Sequence, residues 1–225
     1  LGYNTVEESV RGVAASKFKE IVEERTDGRI KIEIYPAETL GTAQEMVEAV
    51  KIGAQDLQMV GNGTFSPVVD EYNLFSVPFM FNDVDEGLAF AESEVAQKWA
   101  DKALERGYKI LAIYDLGFNQ ITNNVRPISK PEDLEGVLLR ANPADRLNIQ
   151  VFKQLGASIS TMSYSEIYMA LQTGVVDGQF NPLDAIYETK FHEVQDYITM
   201  INLQWYTFML SMTEKTWSGL DEETQ

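Results

Sequence analysis

The sequence predicts an α/β fold built from two similar lobes. Amphipathic segments alternate with short apolar segments along the chain, which is typical of strands joined by crossover helices. An eight-residue pattern also occurs twice, as AVKIGAQD at 49–56 and ALQTGVVD at 170–177. Each copy is typical of a helix end leading into a strand, and each is soon followed by an asparagine, Asn62 or Asn181. Because open parallel sheets bind ligands beyond the carboxyl ends of their strands, we expect both asparagines to face one cleft.

The first part of the chain has the order helix, strand, helix, strand. Apolar residues recur at helical spacing over 8–24, and residues 30–36 (IKIEIYP) alternate apolar and charged side chains as a half-buried strand does. Thr42 and Glu45 have capping-box spacing, so a second helix is predicted to begin there. Residues 56–60 (DLQMV) predict a short strand. This order favours mostly parallel strands.

The second part continues the alternation. Residues 85–107 predict one long amphipathic helix, and the apolar run 108–116 predicts a strand buried on both faces. A further strand is expected to end at Arg140. Helices are predicted over 145–156 and 163–174, the latter with a serine and a glutamate at capping-box spacing.

Composition excludes several classes of function. The chain carries 35 acidic and 18 basic residues, a net charge of −17, so phosphate backbones and anionic lipid surfaces would repel it. It has no cysteine, which removes thiolate nucleophiles and disulfides. No apolar segment has the length of a membrane span. The first residue is Leu1 rather than Met, and we expect that a signal peptide has been removed.

No catalytic motif stands out. The chain lacks a nucleophile elbow, an H-E-x-x-H zinc motif and a P-loop, and its acidic clusters lack calcium-loop spacing, so no metal or cofactor is expected. The single histidine, His192, is interpreted as a surface or packing residue. An α/β enzyme acting on a carboxylate substrate, with His192 or a glutamate near Asn4 as base, stays open as an alternative.

Arg140 follows an apolar segment, GVLLR, where a charged side chain is costly to bury. A guanidinium offers a planar fork of donors that suits a carboxylate, which would make this residue a ligand anchor. A structural salt bridge to a nearby helix is an equal alternative. Among aromatic residues, those near the ends of predicted elements are expected at a cleft: Tyr164, Phe180, Trp205 and Tyr206.

Several segments together resemble a known family. They are TDGRIKIEIYPAETLG, VKIGAQDLQM, FSVPFMF, PISKPEDLEGVLLR, LGASISTMSYSEIYMALQTGVVDGQFNP and KFHEVQDYI. The chain resembles the solute-binding proteins of tripartite ATP-independent periplasmic (TRAP) transporters, the C4-dicarboxylate-binding (DctP) family. The match covers essentially the whole chain, and its most specific part is the helix, LQTGVVDGQ and x-N-P block.

The resemblance implies a two-lobed α/β binding protein that closes on its ligand by a hinge. Lobe I would comprise residues 1–117 and 206–225, and lobe II residues 118–205. The family fold also has a C-terminal helical part, and the resemblance implies that this chain lacks it. The resemblance also implies a monomer in the periplasm that delivers a small organic acid to membrane permease subunits. A sensor role would use the same binding lobe.

The resemblance further assigns a ligand site. Arg140 would pair with the ligand carboxylate and Asn181 would contact the same group or its neighbour. Strand ends would bring further residues to the cleft: Asn4, Glu7 or Glu8, Gly61, Asn62, Phe118 and Asn119. Aromatic side chains of Phe118, Phe180 and Trp205 would seal the site.

Two departures from the family pattern bear on the ligand. Some relatives have a second arginine where this chain has Asn119. The segment after Arg140 is ANPAD, one residue longer than the V-P segment and shorter loop expected from the family. One arginine and several amides suit one carboxylate plus hydroxyls. A sugar acid such as a uronate or aldonate is therefore the favoured ligand, ahead of a C4-dicarboxylate, a keto acid or an aromatic acid.

Overall fold

A computed structural model describes all residues, 1–225. Its nine strands are β1 (Gly2–Tyr3), β2 (Leu57–Gly61), β3 (Tyr108–Phe118), β4 (Gln120–Asn123), β5 (Leu138–Ala141), β6 (Ser158–Thr161), β7 (Gly178–Asn181), β8 (Tyr197–Thr199) and β9 (Trp205–Thr213). Its nine α-helices are α1 (Val10–Arg25), α2 (Ala43–Lys51), α3 (Asn62–Phe65), α4 (Val84–Ala91), α5 (Glu94–Glu105), α6 (Arg146–Gln154), α7 (Ile167–Gln172), α8 (Leu183–Glu188) and α9 (Glu214–Ser218). Short 3₁₀ helices occupy Asp70–Ser76, Pro131–Leu134 and Phe191–Glu193. No helix is both long and apolar enough to cross a membrane.

The strands form two separate sheets, in agreement with the two-lobed α/β prediction. The first sheet has the order β1-β2-β9-β3 and the second has the order β6-β5-β7-β4-β8. Each sheet has its own apolar cores. The largest core cluster of the first sheet includes Phe75 and Trp205, and that of the second includes Phe152 and Leu139.

Two chain segments connect the sheets, and they are hydrogen-bonded to each other. One is Asn119, between β3 and β4, and the other is residues 200–204, between β8 and β9. The Asn119 amide donates to the Gln204 carbonyl at 3.0 Å, and the Leu203 amide donates to the Asn119 carbonyl at 3.0 Å. This pair of segments is where a hinge between the sheets would have to bend. The lobe boundaries expected from the sequence lie beside these segments and remain a proposal.

The sequence repeat corresponds to a repeated local structure. Gly53 and Gly174 follow α2 and α7 with φ of +73° and +70°, a conformation that favours glycine. In both copies the residue after the glycine donates its amide to the alanine that opens the repeat, Ala49 or Ala170, at 2.9 Å. A strand and then a helix follow in each case. The pattern therefore encodes the same helix ending twice, once before a strand of each sheet.

Mostly parallel pairing was the wrong expectation. β9 runs antiparallel to both β2 and β3, and β4 runs antiparallel to both β7 and β8. The chain leaves the first sheet along β3 and returns to it along β9, and it enters the second sheet along β4 and leaves it along β8. These neighbouring strands therefore run in opposite directions. β3 also lies at the edge of its sheet, and most of its residues are only half-buried rather than covered on both faces.

Two further elements differ from their sequence predictions. Residues 30–36 form only an isolated bridge, between Tyr35 and Gly2, because the neighbouring strand β1 is two residues long. The predicted helix 85–107 is divided into α4 and α5, since Ser93 leaves the helical conformation and accepts a hydrogen bond from Ala96 as the cap of α5.

Candidate functional site

A cavity of about 260 Å³ lies where strand ends from both sheets meet. Four of its 19 lining residues are hydrophobic, so the wall is mainly polar. The lining comprises Asn4, Glu38, Thr42, Ala43, Gln44, Gly61, Gly63, Thr64, Asn119, Arg140, Asn142, Pro143, Asp145, Ser163, Tyr164, Glu166, Phe180, Asn181 and Tyr206.

Arg140, on β5, is the only cationic residue of this lining and is 6% exposed. Its Nε and Nη2 donate to the carbonyl oxygen of Met162 at 3.2 and 2.7 Å. No carboxylate lies within 4.0 Å of its guanidinium. Burial lowers the pKa of Arg140 to about 10, which leaves it cationic at neutral pH. The salt-bridge interpretation of Arg140 is therefore wrong, because no carboxylate contacts the guanidinium. The more distant charges of Glu38 and Asp145 only partly offset the effect of burial on its pKa.

Two amide side chains from different strand ends also line the cavity. Asn181 donates to Gln179, whose Nε2 donates in turn to Thr122 Oγ1 at 3.0 Å. This chain of bonds holds the Asn181 amide in place at the end of β7. Asn119 is 1% exposed, and its Oδ1 accepts no hydrogen bond from the protein. A buried amide oxygen without a donor is costly, so Asn119 is suited to accept one from a ligand.

Gly61 is required by the close approach of Tyr206. A Cβ atom on Gly61 would overlap the phenol oxygen of Tyr206 and lie 2.9 Å from its Cζ. Burial raises the pKa of Tyr206 to about 12, so the phenol stays neutral and can donate a hydrogen bond. The absence of a side chain at the end of β2 therefore lets a neutral donor reach the cavity.

Direct contacts join the two sheets around the cavity. Asn142 Nδ2 donates to Thr64 Oγ1 at 2.8 Å on one side. The amide of Val10 donates to Glu188 Oε1 at 2.7 Å. The side chain of Glu38 accepts a hydrogen bond from the Ser165 hydroxyl. The cavity is therefore bounded by groups from both sheets, which contact each other directly beside it.

Six of the residues expected at a ligand site line the cavity: Asn4, Gly61, Asn119, Arg140, Phe180 and Asn181. Tyr164 and Tyr206 also line it, as expected from their places near element ends. Phe180 contributes only part of its ring to the cavity, since it packs in the core against Phe152 with ring centroids 4.6 Å apart.

Four expected site residues and one alternative do not line the cavity. Asn62 turns into the protein, where it donates to Ser76 Oγ at 2.7 Å. Trp205 is 0% exposed among core aromatics and donates from Nε1 to Asp115. Phe118 packs against that same core. Glu7 and its alternative Glu8 are exposed to solvent. For Asn62, Phe118 and Trp205 the reason is that a residue at or next to a strand end can point into the core or to the cleft, and sequence does not distinguish the two. Glu7 and Glu8 instead lie beyond the end of β1, in the segment that leads to α1.

Sequence reasoning missed nine residues that come from loops and from the beginnings of α2 and α3. They are Glu38, Thr42, Gln44, Gly63, Thr64, Asn142, Asp145, Ser163 and Glu166. Only Asn142 and Asp145 had a signal, because both belong to the ANPAD segment that departs from the family pattern. The others lie near the cavity only because the sheets face each other.

The alternative catalytic base gains no support from its surroundings. His192 is exposed and stacks on Tyr187 at a centroid distance of 5.5 Å, and its Nδ1 has only the carbonyl of Ile186 nearby, at 3.4 Å. It is not among the cavity residues. No group of three or more His, Cys, Asp or Glu side chains is placed to hold a metal ion.

Comparison with known proteins identifies the family. The model of bacterial extracellular solute-binding proteins, family 7 (DctP), matches residues 1–225. The chain belongs to this family. It is 31% identical over 224 residues to the 2,3-diketo-L-gulonate-binding periplasmic protein YiaO of Escherichia coli, covering 100% of this chain and 68% of that protein.

Solved structures of DctP-family proteins share the fold. A TRAP periplasmic solute-binding protein from Polaromonas sp. JS666, bound to D-erythronate, has a TM-score of 0.95 and 30% identity, covering 99% of this chain and 73% of that one. One from Sulfurospirillum deleyianum, with bound succinate, has a TM-score of 0.93 and 32% identity, covering 100% and 72%. The present chain spans 66% and 41% of the full length of two further relatives that it matches.

Proposed function

We propose that this chain is the ligand-binding part of a periplasmic solute-binding protein that captures a small organic acid by its carboxylate. In this role it delivers the acid to the membrane permease of a TRAP transporter and performs no chemistry on it. The observation that carries the proposal is Arg140, a buried cation at the cavity without a carboxylate within 4.0 Å. A ligand carboxylate would supply the missing ionic partner.

The rest of the cavity favours a ligand that also carries hydroxyl groups. Asn4, Asn119 and Asn181 offer amide donors and acceptors, and Tyr206 offers a neutral phenol. Hydroxyl groups can satisfy both kinds of partner, because each donates once and accepts twice. We therefore favour a sugar acid such as an aldonate or uronate. The relative bound to D-erythronate supports this class, while the one bound to succinate keeps a dicarboxylate as the alternative.

The mechanism requires only a change in the populations of open and closed states. Residues 119 and 200–204 would act as the hinge between lobe I and lobe II. A ligand that contacts groups on both sheets binds the closed state better than the open one, so it favours closure. The permease would then recognise the closed protein.

A thermal-unfolding screen of organic acids tests the proposal. A ligand that binds only the folded state raises the melting temperature by an amount that grows with the ratio of ligand concentration to dissociation constant. We expect at least one sugar acid to raise the melting temperature of the wild type and of Arg126→Ala, a control at an exposed arginine. In Arg140→Ala we expect the dissociation constant, measured by calorimetry, to rise by at least about 30-fold. A full response in Arg140→Ala would refute the carboxylate anchor, and turnover of any bound acid would refute the capture role.

A further inference from the structure

The ANPAD segment brings a buried carboxylate to the cavity wall. Asp145 is the last residue of that segment, lies at the start of α6 and is 5% exposed. It approaches the first sheet so closely that a Cβ atom on Gly63 would be 3.0 Å from its Cγ and 3.1 Å from its Oδ2. The carboxylate therefore sits between the two sheets, where a ligand would be enclosed.

Asn148 fixes the direction of this carboxylate. The amide of Asn148 donates to Asp145 Oδ1 at 3.3 Å, and its Nδ2 donates to Oδ2 at 2.6 Å. Each carboxylate oxygen can accept a further hydrogen bond. No cation lies within 4.0 Å of Asp145. Helix capping alone needs one such oxygen, so the cap does not use the full capacity of this buried carboxylate.

The cavity lining carries more negative than positive side chains. Its lining holds one cation, Arg140, and three carboxylates, Glu38, Asp145 and Glu166. Of the three, only Asp145 is buried, while Glu38 is half-buried and Glu166 is exposed. A ligand with one carboxylate on Arg140 would bring any second carboxylate into a cavity that has no other cation and a buried negative charge. Like charges at short distance in a buried site repel strongly, since little water screens them.

We propose that Asp145 determines which acids this site accepts. It accepts a hydrogen bond from a hydroxyl group of the ligand and excludes a second carboxylate, so the site selects hydroxylated monocarboxylates over dicarboxylates. This inference rests on the proposed function, because it requires that Arg140 anchors one carboxylate.

The test compares two acids on the complete chain. D-erythronate represents the hydroxylated monocarboxylates and succinate the dicarboxylates, and dissociation constants are measured by calorimetry at pH 7.5. Asp145→Asn keeps the size of the side chain and a capping oxygen while removing the charge. Asp145→Ser is a second variant that also retains a capping oxygen. Asp83→Asn is the matched control, since Asp83 caps α4 with Oδ1 bonded to the Glu86 amide at 2.8 Å, and it does not line the cavity.

We expect Asp145→Asn to change the preference between D-erythronate and succinate rather than the stability of the protein. Wild type and Asp83→Asn should bind D-erythronate at least about tenfold more tightly than succinate, and Asp145→Asn should reduce that ratio by at least about tenfold. If the wild type binds both acids equally in an Arg140-dependent manner, the selectivity role is wrong while the proposed function stands. If both Asp145 variants leave the ratio unchanged, Asp145 only caps α6. If no acid of any class binds, both proposals fail together.

Discussion

The guanidinium of Arg140 is held by the carbonyl oxygen of Met162, which accepts hydrogen bonds from Nε and Nη2 at 3.2 and 2.7 Å. This contact orients the planar group but does not neutralise it, because a carbonyl carries only a partial charge. The orientation is therefore set by the residue that follows β6, and the charge remains available to an anion.

Replacing Arg140 by methionine should not destabilise the ligand-free protein by much. A cation buried in a structural ion pair typically costs about 3–5 kcal/mol to disrupt, whereas a buried cation without an ionic partner carries a desolvation penalty that its removal relieves. We expect the free energy of unfolding of Arg140→Met, measured in urea without ligand, to change by less than about 1 kcal/mol. A loss near 3–5 kcal/mol would mean that Arg140 serves the fold.

The close contact between Gly61 and Tyr206 predicts that Gly61→Ala lowers both stability and ligand affinity. In Gly61→Ala the new methyl group would overlap the Tyr206 phenol, so the ring must move out of its position in the cavity wall. Overpacking of this kind costs about 1–3 kcal/mol of stability, and ligand affinity should fall as well. Gly219→Ala is the control, since its Cβ would meet only atoms at 3.4 Å. Unchanged stability and affinity in Gly61→Ala would show that this contact has no role.

Replacing Trp205 should lower stability and leave ligand affinity unchanged, the reverse of what is expected for Arg140. It packs edge-on against Phe75 and Phe81, each with ring centroids 5.5 Å apart, and bonds to Asp115. Trp205→Phe should therefore lower the free energy of unfolding by about 1–3 kcal/mol. The dissociation constant for a bound acid should change by less than about twofold, because Trp205 does not line the cavity. Lost affinity with unchanged stability would restore the sequence-based expectation that this ring seals the site.

Asp184 predicts how stability depends on pH. This half-buried carboxyl on α8 has an Oδ1 without a donor, and burial raises its pKa while Arg11 lowers it less. A carboxyl whose folded pKa exceeds its unfolded value contributes stability at acidic pH that is lost as pH rises through the folded pKa. Asp184→Asn should therefore be more stable than the wild type at pH 7, with the difference shrinking towards pH 4.

The control for this prediction is Asp196→Asn, which changes an exposed carboxylate. It should leave the difference between the two pH values as in the wild type. If Asp184→Asn is instead less stable at pH 7, the attraction between Asp184 and Arg11 outweighs burial. Arg11 itself is 2% exposed and lies 3.7 Å from the centroid of the Phe208 ring, so it would then be the group that loses its partner.

Local sequence rules predicted the elements whose causes are local. The capping box of Thr42 and Glu45 is present, with the Thr42 amide donating to Glu45 Oε2 at 2.7 Å. The two glycines of the repeat end their helices with the same hydrogen bond. Both depend on residues within six positions of one another, so no distant part of the chain is needed to specify them.

The direction of strands and of side chains could not be predicted from local sequence. The antiparallel β9 is placed by a partner more than a hundred residues away in sequence, β2, and no local pattern encodes that pairing. Asn62 and Asn181 follow the same repeat, yet one bonds to Ser76 in the protein interior and the other lines the cavity. The two asparagines differ because different elements pack around the strand end in each sheet.

The sequence by itself determined the α/β class, the two-lobed organisation, the family and the arginine at the end of a buried strand. These follow from periodicity, capping and motifs, which are carried by neighbouring residues. Only the tertiary structure decided that Arg140 has no ionic partner, that Trp205 belongs to the core and that Asp145 lies beside Gly63. Those properties depend on which groups two facing sheets bring within a few ångströms, and the range of a hydrogen bond or an ion pair is too short to be read from spacing along the chain.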